Sequence, residues 1–140
     1  MPRPASARLD PETFRLPVQR LRDGYYSDAY FVYTKQLLEA ESHHPRVILQ
    51  VFQKQSSLLG GIDETIAMLK LAAGRFDQSG NWVPGWRELV VHALNEGDAI
   101  SPFETVMTIE GDYSLFAHLE TVYLGTLARR SLVMLSLIHI

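Results

Sequence analysis

The histidines are the first residues whose chemistry could define a site. His43, His44, His92 and His118 include no pair at four-residue spacing, and no H-E-x-x-H motif occurs. Two histidines on one helix need that spacing to reach the same zinc ion. The chain has no cysteine, which excludes thiolate metal sites, disulfides and a cysteine nucleophile. The sequence therefore predicts no metal centre and no complete catalytic group of its own.

Phosphate-binding and nucleophile motifs are also missing. The patterns G-x-G-x-x-G, G-x-x-x-x-G-K-[ST] and G-x-S-x-G do not occur, and each would place backbone donors or a serine at a strand-to-helix turn. Gly60 and Gly61 precede a predicted helix whose N-terminus could bind an anion. A purely structural turn is the favoured interpretation of these two glycines.

Length and charge define the class of protein. The chain has 140 residues, enough for one domain, and 13 basic against 16 acidic residues give a net charge of −3. That balance provides no broad basic surface for nucleic acid. The arginines near the N-terminus are followed by no apolar run, so no signal peptide is predicted. We expect a cytoplasmic protein that binds neither nucleic acid nor membranes.

Hydrophobic periodicity predicts the elements that must position any site. Tyr26, Tyr30, Tyr33 and Leu37 follow helical spacing and predict a helix over about 27–41, begun by Ser27 and Asp28. The remaining predicted elements are a strand at 46–53 buried on both faces, a helix capped by Asp63 and closed by Gly74, a loop at 75–86, strands at 89–94 and 104–111, and a long helix after Asp112 with Phe116, Leu119, Tyr123 and Leu127 in register. This order predicts one α+β domain.

The C-terminal residues have an unusual composition. The last ten residues, SLVMLSLIHI, are strongly apolar but too short to cross a membrane, which takes about 20 residues. Residues 135–140 are also what the reverse complement of a common transposase-adapter end encodes in frame. We therefore predict that 135–140 derive from an adapter, the alternative being a real apolar strand.

Two segments match a known pattern. The first, S-D-A-Y-F at 27–31 with Thr34 one turn later, resembles the S/T-D-x-Y helix of nicotinate phosphoribosyltransferases. The second runs from N-E-G-D at 95–98 through V-M-T-I-E-G at 106–111 to L-E-T at 119–121, and it resembles a later block of that family. Order and spacing agree across about residues 16–131. Related quinolinate enzymes usually carry E-R-x-x-L-N in the last helix, whereas Thr121 follows Glu120 here, which favours nicotinate.

The resemblance implies the N-terminal α/β sandwich domain of a type II phosphoribosyltransferase, with the C-terminal α/β barrel missing. It divides the chain into a flexible arm at 1–12, the domain at 13–128 and a truncated start of the barrel at 129–134. The parent enzyme would join nicotinate to the ribose of phosphoribosyl pyrophosphate and release pyrophosphate, with Mg²⁺ and ATP as cofactors. It would work as a dimer or larger assembly with a shared site. The fragment itself is expected to be inactive, because the barrel holds the catalytic residues.

The resemblance also implies roles for individual residues. Tyr30 would form a wall against the pyridine ring, with Asp28 and Thr34 as supporting polar contacts. The alternatives are that Tyr30 is a core aromatic and that Asp28 only caps the helix. Arg129 and Arg130 would contact a phosphate or carboxylate, although arginines near a helix C-terminus also complement its dipole without any function.

Two other functions remain open from the sequence. One is a quinolinate phosphoribosyltransferase, which releases carbon dioxide from its substrate. The other is a stand-alone α+β module that binds a partner and performs no catalysis.

Overall fold

The computed structural model describes residues 8–138. Residues 1–7 of the predicted arm, together with His139 and Ile140 of the predicted adapter segment, lie outside the described residues. The helices are α1 (Val18–Arg22), α2 (Ala29–Ala40), α3 (Ile62–Ala72) and α4 (Glu120–Ile138). The strands are β1 (Arg46–Phe52), β2 (Ser57–Leu58), β3 (Gly74–Phe76), β4 (Trp82–Pro84), β5 (Val90–Ala93), β6 (Ala99–Ile100) and β7 (Thr105–Asp112). Short 3-10 turns precede α1, β5 and α4.

The main sheet has three antiparallel strands in the order β1-β7-β5. Ile109 of the central strand is paired with Leu49 on one side and Val91 on the other. Two smaller ladders, β2-β6 and β3-β4, complete the strand pairing. This mixture of antiparallel sheet and packed helices confirms the predicted α+β class.

The core lies between one face of this sheet and the helices. α3 contributes most of its length to it, because eight of its eleven residues are buried. The sequence predicted an apolar stripe at helical spacing after Asp112, formed by Phe116, Leu119, Tyr123 and Leu127. All four residues are buried, which confirms the stripe. Asp112 caps a 3-10 turn by accepting from the Ser114 amide at 2.9 Å, so α4 begins at Glu120 rather than directly after Asp112.

β1 differs from its predicted burial. Val51 is 7% exposed, but Ile48 and Phe52 on the opposite face are 66% and 46% exposed. No element of the described chain covers that face, so the strand is buried on one face only. β-branched residues stabilise a strand in either situation, and composition therefore did not distinguish them.

The N-terminus of α3 is capped differently from the sequence prediction. Gly61, at φ 89°, is the N-cap residue, and the Glu96 carboxylate accepts from the Gly61 and Asp63 amides at 3.1 and 2.8 Å. This carboxylate already occupies the place that an anion would take, which supports the structural interpretation of Gly60-Gly61.

Asp63 is therefore not the cap. Its buried carboxylate pairs with Arg8 at 3.1 Å and accepts from the Leu9 amide at 3.2 Å. Arg8 also donates to the Ala93 and Leu94 carbonyls at 3.1 and 2.9 Å. Residues 8–12, predicted as part of a flexible arm, are thus attached to the domain at Arg8 and Leu9, through partners more than fifty residues away.

The segment 75–86 contains a hairpin that the sequence prediction missed. β3 and β4 pair from Gly74 opposite Pro84 to Phe76 opposite Trp82. Gly74 has φ 148°, and a Cβ there would lie 2.3 Å from the Val83 carbonyl oxygen. Only glycine allows this close approach of the two strands. The turn residues were recognised in the sequence, but these very short strands were not.

α4 continues as a helix to Ile138. Residues 129–134, predicted as the start of a barrel, are helical in the described chain. Their assignment to a barrel stays a prediction, as does the adapter origin of residues 135–140. By length and hydropathy the stretch Ala117–Ile138 could cross a membrane, a property that core helices share. Tyr123, Leu127 and Ser131 of this helix are buried against the domain.

Candidate functional site

The N-termini of α2 and α4 meet at a pair of polar residues. The Thr121 hydroxyl accepts from the Asp28 amide at 3.0 Å and donates to Asp28 Oδ2 at 3.1 Å. Asp28 is the N-cap residue of α2, yet its side chain makes no capping hydrogen bond. Its carboxylate therefore joins two helices instead of closing one, which corrects the simple capping alternative. The two residues place the first turn of α2 beside the first turn of α4.

Tyr30 projects from this junction into solvent. Its side chain is 62% exposed, and its ring lies 4.3 Å from that of Phe31, centroid to centroid. Tyr26, Tyr33 and Leu37 of the same stripe are 40%, 66% and 63% exposed. The core-aromatic alternative for Tyr30 is therefore wrong within this chain, and its role as a ring wall stays a prediction.

A second tyrosine and a carboxylate complete the junction. The Tyr113 hydroxyl donates a hydrogen bond to Glu120 Oε2 at 2.7 Å, and its ring packs edge-on against Phe116. Burial, and next the hydrogen bond to Glu120, raise the pKa of Tyr113. Local desolvation, followed by the carboxylates of Asp28 and Glu120, also raises the pKa of Tyr30. We call Asp28, Tyr30, Tyr113, Glu120 and Thr121 the tyrosine–carboxylate cluster.

The chemistry of this cluster follows from those charges. Both phenols stay protonated at neutral pH and can act only as neutral hydrogen-bonding groups. The Tyr30 ring face is available for stacking on a flat ligand. The two carboxylates repel anions, so any phosphate must be held by cations that the cluster does not contain. The exposed ring of Tyr30 therefore suits the cluster to orient an aromatic ligand.

Tyr113 and Glu120 were not assigned to the site from the sequence. They are seven residues apart, and two 3-10 turns between them bring their side chains together. In a continuous helix, residues seven apart share a face but lie about 10 Å apart along the axis, so helical spacing does not predict this hydrogen bond. The hydrogen bonds of Glu120 to Tyr113 and of Thr121 to Asp28 fix the start of α4 to its neighbours.

Thr34 is not an open polar contact. Its hydroxyl donates to the Tyr30 carbonyl at 2.7 Å, within α2. This bond to the carbonyl four residues earlier uses the hydroxyl proton within the helix. The contact of Thr34 with a substrate stays a prediction. With its proton committed to Tyr30, the hydroxyl oxygen can only accept a hydrogen bond from a substrate.

The two arginines of α4 lie away from the cluster. Arg129 is eight residues beyond Thr121, which is about 12 Å along a helix. Arg130 instead pairs with Glu64 at 3.1 Å, and its side chain lies over Gly61. Both arginines are exposed, and the structure does not bring them to Tyr30.

The buried face of α2 carries a separate polar network. Lys35 Nζ donates to the Gly74 and Ser114 carbonyls and pairs with Glu39 at 3.0 Å. Burial lowers the pKa of Lys35, an effect that Glu39 opposes. His118 is 2% exposed and donates from Nε2 to the Ala72 carbonyl at 2.8 Å. Burial, with the nearby Lys35, lowers the pKa of His118 to about 3, so this histidine is neutral and structural.

The cofactors implied by the resemblance do not fit the residues described. Among residues 8–138 no three histidine, aspartate or glutamate side chains converge closely enough to hold a metal ion. The cation-poor cluster likewise provides nothing to hold the phosphates of ATP. A site for Mg²⁺ or ATP would need residues beyond those of the tyrosine–carboxylate cluster.

The sequence profile described as "Quinolinate phosphoribosyl transferase, N-terminal domain" matches residues 28–131. That range begins at Asp28 and includes the whole tyrosine–carboxylate cluster. The chain belongs to this family. The expected N-terminal domain of a type II phosphoribosyltransferase is thereby confirmed, whereas the preference for nicotinate is not supported, because the matched family is the quinolinate one.

Solved structures agree with this family. A nicotinate-nucleotide pyrophosphorylase from Pyrococcus furiosus is 30% identical with a TM-score of 0.60, over 78% of this chain and 26% of that one. NadC from Streptococcus pyogenes is 19% identical with a TM-score of 0.55, over 85% and 38% of the two chains. The nicotinate-nucleotide pyrophosphorylase from Francisella tularensis is 13% identical with a TM-score of 0.50, over 80% and 37%. The last two show the fold alone.

The quinolinate phosphoribosyltransferase N-terminal domain therefore accounts for most of this chain. The chain spans only about a quarter to two fifths of the length of the solved structures it matches. No curated protein matches it.

Proposed function

We propose that the chain serves as the N-terminal domain of a quinolinate phosphoribosyltransferase. In that reaction the ring nitrogen of quinolinate displaces pyrophosphate from phosphoribosyl pyrophosphate. The carboxylate beside the ring nitrogen leaves as carbon dioxide and a proton takes its place on the ring, so the product is nicotinate mononucleotide for NAD biosynthesis. The observation that carries the proposal is the family match over residues 28–131, a range that contains the tyrosine–carboxylate cluster.

The domain would contribute to binding rather than to bond breaking. The exposed face of Tyr30 offers a flat apolar wall for a pyridine ring, and the Asp28–Thr121 contact fixes the turn that carries it. Quinolinate and phosphoribosyl pyrophosphate are both strongly anionic, so their charges require cations. Arg129 is a candidate cation on this chain. The remaining cations, and the residues that would bind Mg²⁺ and ATP, would belong to a barrel domain.

We infer the remaining features of the parent enzyme from the same membership. It would act in the cytoplasm, as a dimer or larger assembly in which a barrel of one subunit meets this domain of another. The 140-residue chain alone would be inactive.

Nicotinate is the second candidate acceptor, and Thr121 favours it. A quinolinate dianion needs a cation for each carboxylate. This chain has a neutral threonine where quinolinate enzymes usually have an arginine, and its hydroxyl is committed to Asp28. Nicotinate has one carboxylate and needs one fewer cation.

A chimera tests both acceptors. Residues 8–130 of this chain would replace the corresponding domain of the Pyrococcus furiosus protein, with that protein unchanged as the control. Pyrophosphate and carbon dioxide release would be measured with quinolinate and with nicotinate, each with and without Mg²⁺ and ATP. We expect both products from quinolinate. If pyrophosphate is released with nicotinate and not with quinolinate, the second candidate is selected. A chimera that folds but is inactive, beside an active control, would favour a binding module.

A further inference from the structure

Buried polar atoms without hydrogen-bond partners are concentrated at one place in the described chain. Within residues 8–138, the buried side-chain atoms that make no hydrogen bond are Glu39 Oε1, Thr65 Oγ1, Trp82 Nε1 and His118 Nδ1. All of them except the threonine oxygen lie around one cavity between α1, α2 and β3. Buried polar atoms are almost always paired, so such a group indicates a partner that these residues do not supply themselves.

This cavity is large enough for a small organic molecule. It has a volume of about 210 Å³, and Glu39, His118, Arg22 and Phe76 form part of its wall. Trp82 packs against two of these residues. Its ring lies 5.0 Å from that of Phe76, centroid to centroid, and the Arg22 guanidinium carbon lies 5.0 Å from its ring centroid. The volume is several times that of one water molecule.

His118 supplies a hydrogen-bond acceptor. Its Nε2 lies 2.8 Å from the Ala72 carbonyl oxygen, which can only accept, so Nε2 carries the proton. Because burial lowers the pKa of His118 to about 3, the ring is neutral at pH 7 and Nδ1 keeps its lone pair. The residue is 2% exposed, so this lone pair requires a donor inside the protein.

Glu39 supplies a second acceptor. Its Oε1 lies 3.0 Å from Lys35 Nζ but accepts no hydrogen bond of good geometry. The charged residues that line the cavity are two cations and two anions: Arg22, Lys35, Asp23 and Glu39. Because these charges balance, they favour a neutral ligand over an anion or a cation.

Arg22 supplies the donor on the other side. Its Nε donates to the Leu71 carbonyl at 2.9 Å, and no other hydrogen bond of this guanidinium occurs within residues 8–138. A ligand that complements two acceptors and a guanidinium needs two N–H donors and a carbonyl oxygen, which is the arrangement of a primary carboxamide. Phe76, which is 39% exposed, offers an apolar face to the group that carries the amide.

We propose that the cavity between α1, α2 and β3 binds a small neutral carboxamide carried on a flat apolar group. The amide nitrogen donates to His118 Nδ1 and Glu39 Oε1, and the amide carbonyl accepts from Arg22. No residue of the tyrosine–carboxylate cluster lines this cavity, and the proposal does not rest on phosphoribosyl transfer. A ligand this small should bind with a dissociation constant on the order of 1 mM.

Matched probes of equal size test which group the cavity recognises. Benzamide has both N–H donors, acetophenone has a methyl group in their place, and benzoate has a carboxylate. Each is titrated by NMR into the full 140-residue chain carrying ¹⁵N-labelled histidine, with His118→Gln used to assign the His118 signals. We expect benzamide to move the His118 Nδ1 resonance, and the other two probes to bind about tenfold more weakly, because they leave the acceptors unpaired.

Variants locate the site on the molecule. Phe76→Ala removes the apolar face and should weaken benzamide binding about fivefold. Val83→Ala is the matched control, because Val83 belongs to the same hairpin, is similarly exposed at 43%, and does not line the cavity. Tyr30→Ala should bind benzamide as the unaltered chain does.

Four results would overturn the proposal. Acetophenone that binds as tightly as benzamide would show that the amide is not recognised. Benzamide binding that leaves the His118 Nδ1 resonance unmoved, or that is lost in Tyr30→Ala, would place the probe elsewhere. No binding of benzamide up to about 10 mM would mean that the cavity holds ordered water only.

Discussion

Thr121 and Asp28 are 93 residues apart in sequence, and they form a two-way contact. The threonine hydroxyl accepts from the Asp28 amide at 3.0 Å and donates to its carboxylate at 3.1 Å. A single side chain thus fixes the start of α2 to the start of α4. The orientation of Tyr30 relative to Tyr113 and Glu120 depends on this contact.

Removing the Thr121 hydroxyl should weaken the domain modestly. Thr121→Val keeps the shape but loses both hydrogen bonds, at a cost of about 1 kcal/mol in the free energy of unfolding, because the site is partly exposed. Thr121→Ser keeps the hydroxyl and should lose less than about half of that. Urea unfolding of the three proteins measures the difference. A loss in Thr121→Ser with none in Thr121→Val would show that the methyl group matters and the hydroxyl does not.

Tyr30 should contribute little to folding and more to binding. Since its ring is 62% exposed, Tyr30→Ala should change the free energy of unfolding by less than about 0.5 kcal/mol. In the chimera the same variant should weaken use of the pyridine substrate by about 1 kcal/mol in kcat/KM, the size of a stacking contact. Tyr30→Phe keeps the ring and should stay close to the unaltered protein. Unchanged kcat/KM in Tyr30→Ala would show that the ring does not contact the substrate.

The Arg8–Asp63 pair should hold the first described residues to the domain. Arg8→Ala leaves the buried Asp63 carboxylate without its cation and should cost about 2 kcal/mol, less than for a fully buried pair. In Arg8→Ala/Asp63→Asn no uncompensated charge remains, so part of the loss should return. Thermal unfolding of the two variants measures this. If Arg8→Ala has no effect, these residues do not stabilise the domain.

Acid should destabilise the domain through His118. Its pKa is about 3 when folded and about 6.5 when unfolded, so between these values the unfolded chain binds the extra proton. The stabilisation is complete above pH 6.5 and is lost as the pH falls towards 3, by up to about 1.4 kcal/mol per pH unit.

Urea unfolding from pH 5 to 7.5 tests this before most carboxylates titrate. His118→Gln, which keeps a donor for the Ala72 carbonyl, should be less stable at pH 7 but show a flatter pH dependence. The same slope in both proteins would assign the acid sensitivity to other groups.

The sequence by itself determined the local elements. Helical and alternating periodicities located α2, α3, β1, β5 and β7, because those periods follow from backbone hydrogen bonding within and between neighbouring segments. The buried stripe from Phe116 to Leu127 was also correctly predicted, because an apolar residue recurs at each helical turn of that segment. Resemblance in two short blocks indicated the fold of the domain.

Only the tertiary structure decided which faces are covered and which polar groups meet. The stripes of α2 and α4 have similar spacing, yet Tyr30 is exposed and Tyr123 is buried, because burial depends on what packs against a face. Glu96 rather than Asp63 caps α3, and Thr121 rather than solvent holds Asp28. These partners are 33 and 93 residues apart. A local sequence pattern determines the periodicity of a segment. The packing of segments that are distant in sequence determines the neighbours of each residue, and therefore its role.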